Sequence, residues 1–115
     1  MRIVIRFGLA AAVAGLLAGI AAAQSPSVDN GRKVYVNVGC WSCHGYLGQG
    51  AVTGPKLAPD PMPKETFAAF LRSSNRLMPP YPEEVLSDSD VEDMYAYLAS
   101  LPQPADYRTI PLLNQ

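Results

Sequence analysis

Cys40-Trp41-Ser42-Cys43-His44 decides how this chain is read: two thiols three positions apart are followed at once by the only imidazole in the sequence. On one helical turn such thiols reach the two vinyl-derived carbons along one edge of a porphyrin, and the next imidazole projects toward its iron. One residue more or fewer would move a sulfur off its carbon or swing the ring off the iron axis. The other uses of a Cys-x-x-Cys pair fail on context. A thioredoxin-like redox pair needs strands and helices alternating around it, and zinc needs more ligands than two cysteines and one histidine supply. The expected cofactor is therefore one haem c, joined through thioethers to Cys40 and Cys43, with His44 on the iron.

The N-terminus agrees with this chemistry. Arg2 and Arg6 precede an uncharged stretch from Phe7 to Ala23 rich in Ala, Leu, Gly and Val, and Ala21 and Ala23 form an Ala-x-Ala processing site. This reads as a secretory signal peptide cleaved after Ala23. As an uncleaved anchor it falls short of the ~20 strongly apolar residues that span a bilayer. Ligation of haem to paired thiols is completed outside the reducing cytosol, so a bacterial periplasm is the expected compartment. The expected division is a signal peptide over 1–23, one domain over 24–101 and an extended, proline-stiffened tail over 102–115.

Processing at Ala23 leaves a chain with seven Lys and Arg against ten Asp and Glu, a net charge of −3. Phosphate binding calls for a basic patch, so a nucleic-acid partner is excluded. A domain this small buries a modest share of its surface, and a covalently held apolar plate supplies the core it lacks.

Three helices are expected around Gly- and Pro-rich loops. The last is the clearest: Ser87 stands as N-cap with Asp90 in capping-box position, and Leu86 and Val91 are spaced as a hydrophobic staple. Acidic residues crowd its first turns, where the helix dipole favours them, and Val91, Met94, Tyr95 and Leu98 follow helical spacing. A middle helix is expected with Pro63 in its first turn, running to Ser73 and burying Phe67, Phe70 and Leu71. Over 28–38 the alternation of Val34, Val36 and Val38 would suit a strand. A helix is expected there instead, because Val28, Gly31, Tyr35 and Val38 share a helical face and lead into the haem motif.

With these residues in place, the chain resembles the class I cytochromes c of the small, bacterial, single-haem type. Gly31-Arg32-Lys33-Val34-Tyr35 is similar to the family's Gly-x-x-x-aromatic on the first helix, and Tyr95-Ala96-Tyr97-Leu98 is similar to its C-terminal helix signature. The resemblance implies an all-α fold in which these two helices cross closely, with Gly31 admitting the approach and Tyr35 and Tyr97 packed around it. Arg76-Leu77-Met78-Pro79-Pro80-Tyr81 resembles the family's Met-Pro ligand loop, which makes Met78 the expected sixth ligand and Met62 the alternative. Met94, on the apolar stripe of the last helix, is expected in the core. Thr53-Gly54-Pro55-Lys56-Leu57 resembles the segment whose proline carbonyl accepts the proximal histidine's other N–H, a role that would fall to Pro55. Trp41, Arg72, Arg76 and Tyr81 are candidates to meet haem propionates or cover the haem edge, beside the plainer reading of either arginine as an exposed ion-pair partner.

Histidine on one face and methionine on the other leave the iron no open position, and a thioether ligand favours ferrous iron. The expected function is periplasmic electron transfer rather than catalysis, as a soluble carrier or as the cytochrome subunit of a dehydrogenase. The expected partners are a periplasmic dehydrogenase as donor and a terminal oxidase or another cytochrome as acceptor. The competing class is a five-coordinate, ligand-binding haem protein or weak peroxidase, which carbon monoxide binding to the ferrous form would reveal.

Overall fold

A computed structural model of the protein describes residues 25–114. The expected signal segment, 1–23, lies outside the described residues. Four α-helices follow one another: α1 (Val28–Asn37), the single turn α2 (Trp41–His44), α3 (Lys64–Ser73) and α4 (Asp88–Ser100). No strand occurs among the described residues. The expected three-helix, all-α architecture is thus present, with the Cys-x-x-Cys-His stretch adding a helical turn of its own.

The first and last helices begin at serine caps. The Ser27 hydroxyl accepts the Asn30 N–H at the start of α1, and the Ser87 hydroxyl accepts the Asp90 N–H at the start of α4. Asp90 departs from a full capping box: its carboxylate takes the Ser87 hydroxyl at 2.8 Å rather than the Ser87 N–H. Leu86 and Val91 are both buried, as a staple requires. Pro63 occupies the N-cap of α3, one position before the expected first turn. The valine alternation over 34–38 does not make a strand, because Gly31 and Tyr35, four apart, bury the same face of α1.

That face crosses α4. A Cβ built on Gly31 would overlap the Asp93 carbonyl, so only glycine admits this approach. Asp93 also accepts the Ser27 N–H at 2.6 Å and the Asn30 side-chain amide at 2.8 Å, which fixes the register of the two helices. Below the glycine the rings of Tyr35 and Tyr97 pack 5.7 Å apart, tilted by 55°. The core continues through Met94, Leu98, Val91, Leu86, Phe67 and Leu71, all buried. Phe70, expected in the core, is 43 % exposed and borders the cavity described below. Three residues after Phe67, it lies toward the rim of α3 while Phe67 meets Tyr95 edge-on. Beyond Leu101 the tail departs from a purely extended path in two single 3₁₀ turns, Tyr107–Thr109 and Pro111–Leu113.

Candidate functional site

The crossing also positions the motif. The Tyr35 hydroxyl donates to the Gly45 carbonyl at 2.7 Å, and the Tyr97 hydroxyl donates to the Tyr46 carbonyl at 3.4 Å. Both tyrosines thereby pin the chain just after His44 to the helix pair. Gly45, with φ of 79°, turns the chain out of α2 in a conformation that favours glycine.

Cys40, Cys43 and His44 border a cavity of about 920 Å³, at the upper end of the ~300–1,000 Å³ usual for small-molecule sites. Its walls are apolar: Tyr35, Leu57, Phe67, Leu71, Met94 and Leu98 form the floor, and Met62, Leu77 and Met78 line it from the loops and Phe70 from α3. Arg76 is the one Lys, Arg, Asp or Glu among the lining residues. Neither cysteine is in a disulfide. Cys43 is exposed, whereas Cys40 is half-buried with its sulfur 4.0 Å from the Met94 sulfur. Burial pushes the free Cys40 thiol up to about 11, so it stands protonated at neutral pH.

His44 is buried, and its Nδ1 lies 2.7 Å from the Pro55 carbonyl. A carbonyl only accepts, so Nδ1 carries the proton and Nε2 keeps the lone pair that could bind a metal. Gly54 makes this contact sterically accessible: a Cβ there would press on the Cys43 carbonyl at 2.6 Å and on the His44 ring at 2.9 Å. A partly open apolar cavity, two unpaired thiols on one rim and an imidazole held in the metal-binding tautomer fit a covalently attached haem.

Met78 is half-buried on the cavity wall, and Met62, 41 % exposed, reaches the same cavity. Met94 is a core residue, 1 % exposed, that also touches the space. Of the candidates for the haem edge, Arg76 and Tyr81 line the cavity. Trp41 instead stacks on Tyr46, rings 4.7 Å apart, and Arg72 is turned away into contacts with the Tyr81 and Leu86 carbonyls and the Asp88 carboxylate. Its guanidinium fork is filled by these acceptors, which corrects its candidacy for the propionates. Ser74, which carried no signal in the sequence, donates its hydroxyl to the Met78 carbonyl at 2.7 Å.

Comparison with known proteins agrees with this geometry. Residues 26–98 match the family described as cytochrome c oxidase, cbb3-type, subunit III. The chain is 32 % identical over 96 residues to cytochrome c-555 of Methylococcus capsulatus, covering 78 % of this chain and 76 % of that protein. It is also 32 % identical over 92 residues to the cytochrome c subunit of 4-cresol dehydrogenase [hydroxylating] from Pseudomonas putida, covering 79 % of this chain and 78 % of that one. No solved structure matches.

Proposed function

The chain belongs to the c-type cytochromes, electron-transfer proteins with covalently bound haem c, and from that premise we propose that it is a periplasmic electron carrier, or a dehydrogenase's cytochrome subunit, in which His44 and Met78 would hold the haem iron. In this reading Cys40 and Cys43 form the thioethers, and the signal peptide is removed after Ala23. The observation that carries it is the His44 Nδ1 contact with the Pro55 carbonyl at 2.7 Å, on the wall of the cavity that Met78 also lines.

Bound in that cavity, the haem supplies a one-electron Fe(III)/Fe(II) couple. The chain's part is to hold it. Pro55 fixes the His44 ring and strengthens its basicity. The apolar floor excludes water, and a dry site with a thioether ligand raises the reduction potential. The one cationic wall residue, Arg76, can meet a propionate. Exposed Cys43 lies where the thioether edge would approach a partner.

The likeness to a dehydrogenase's cytochrome subunit supports the subunit role, and the likeness to a cytochrome c-555 supports the carrier role. A larger dehydrogenase co-purifying with the untagged protein from native periplasm selects the former, and the mature mass reports whether Gln24 is the first residue.

Ligation is tested by two substitutions. Met78→Ala is expected to abolish the weak methionine-to-iron charge-transfer band of the ferric protein while haem stays on the polypeptide in denaturing electrophoresis. Met62→Ala is expected to leave the band intact, and the reverse outcome transfers the ligand to Met62. Carbon monoxide binding to the wild-type ferrous protein at neutral pH would overturn six-coordinate ligation altogether.

A further inference from the structure

We propose that Arg72 and Ser74 are positioning residues for Met78, forming a latch that ties the segment between α3 and α4 to the end of α3 and sets how often the methionine leaves the iron. The proposal rests on the reading of Met78 as ligand.

The segment has little means of holding itself. Pro79, Pro80 and Pro82 have no N–H to donate. Among the described backbone bonds, its own are the two from Val85 and Leu86 back to the Pro82 carbonyl, and its tie to the domain is the Tyr81 N–H on the Leu71 carbonyl at 2.8 Å. Leu86, Met78 and Tyr81 pack on the core, and the remaining hydrogen bonds come from side chains of α3 and its C-cap. Arg72 Nη1 donates to the Tyr81 carbonyl at 2.8 Å and to the Leu86 carbonyl at 2.7 Å, while Nη2 meets Asp88. One guanidinium thus joins α3, the Met78 segment and the first turn of α4. Ser74, 6 % exposed, donates to the carbonyl of Met78 itself at 2.7 Å. Met78 therefore sits between two anchors, four residues after Ser74 and three before Tyr81. The bonds from Arg72 are charge-assisted, and its planar fork meets acceptors in three directions that an ammonium on a single stem cannot match.

Imidazole added to the ferric holoprotein reads the latch. It binds where Met78 has left, so an iron–sulfur bond breaks, an iron–nitrogen bond forms and the iron stays ferric. Its apparent affinity scales with the open fraction. Arg72→Met is expected to tighten imidazole binding by about tenfold or more, and Arg72→Lys and Ser74→Ala by about three- to fivefold. Asn30→Ala, which cuts the α1 contacts to Asp90 and Asp93, is the control. It is expected to lower the denaturation midpoint yet leave imidazole affinity within about twofold. Should Arg72→Met fail to accumulate as holoprotein, the other two variants decide. Wild-type imidazole affinity in both Arg72→Lys and Ser74→Ala overturns the latch, as does equal tightening in Asn30→Ala, which would mark a general loss of stability. If Met78→Ala keeps the charge-transfer band, the ligand reading falls and the latch with it. If that band is lost but imidazole affinity is unmoved in the latch variants, the latch alone is wrong.

Discussion

The α1/α4 crossing and the segment joining α3 to α4 border the same cavity, but they are held in different ways. At the crossing, glycine packs against backbone and tyrosine against tyrosine, helix on helix. The 74–87 segment is irregular, rich in proline, and fastened by a few directed hydrogen bonds from Arg72 and Ser74. Leu77 is 98 % exposed and Val85 62 %, so the segment's packing on the core rests on buried Leu86 and half-buried Met78 and Tyr81. Dense packing fails all at once, whereas a fastening of separate bonds can open locally while the rest stays folded. The side of the cavity that carries His44 is accordingly built to be permanent. In the proposed latch, the side that carries Met78 opens locally while the helix crossing stays folded.

The widest break in this comparison comes from removing the group both regions enclose. Cys40→Ala with Cys43→Ala prevents covalent attachment, and the crossing is not expected to survive alone. Ordering the backbone costs roughly 1–2 kcal/mol per residue, and three short helices around an open cavity bury too little apolar surface to offset it. A cooperative thermal transition with sharp tertiary circular dichroism in the haem-free double mutant would show that the crossing is an independent unit.

Gly31→Val strikes the crossing directly. The added side chain meets the Asp93 backbone, which cannot yield without separating the helices. A loss of about 3 kcal/mol or more in denaturant unfolding is expected, at the upper end of overpacking. Val28→Ala, at an exposed position on the same helix, is expected within about 0.5 kcal/mol of wild type.

Tyr35→Phe sharpens the link between crossing and motif. It leaves the Gly45 carbonyl without its donor, a loss of about 1–3 kcal/mol. Burial raises the Tyr35 phenol above its ordinary value, so the folded state keeps a proton that the unfolded chain gives up above about pH 10. The wild type should therefore lose stability as pH rises beyond that point. The alkaline limb of the stability–pH curve should be shallower in Tyr35→Phe, and an unchanged slope would mean that the phenol titrates as an exposed tyrosine does.

The smallest effect is expected in solution partnering. Processed after Ala23 as proposed, the chain carries a net charge of −3, which gives no strong overall positive field, and steering fields are screened over about 10 Å at 0.1 M salt. The bimolecular electron-transfer rate with the physiological partner should vary little between low and moderate ionic strength. A fall of about tenfold or more would assign docking to the acidic residues Glu83, Glu84, Asp88 and Asp90, at the end of the Met78 segment and the start of α4, facing a basic partner.

The residues that were legible in the sequence are those whose chemistry depends on near neighbours. The spacing of Cys40, Cys43 and His44 is set within one turn, the cap at Ser87 acts across three residues, and the period of Gly31 and Tyr35 marks a single helix face. Such patterns determine the helices, the cofactor class and the family without reference to the rest of the chain, because hydrogen bonds and thioethers over so short a reach leave few alternatives. Only the tertiary structure decided where long side chains end. It turned Arg72 toward two carbonyls and Asp88, set Ser74 on the Met78 carbonyl, left Phe70 at the cavity rim and brought Met62 to the same wall as Met78. An arginine or methionine side chain can meet any of several acceptors or cavities within its reach, and which one it meets depends on segments that approach from elsewhere in the chain.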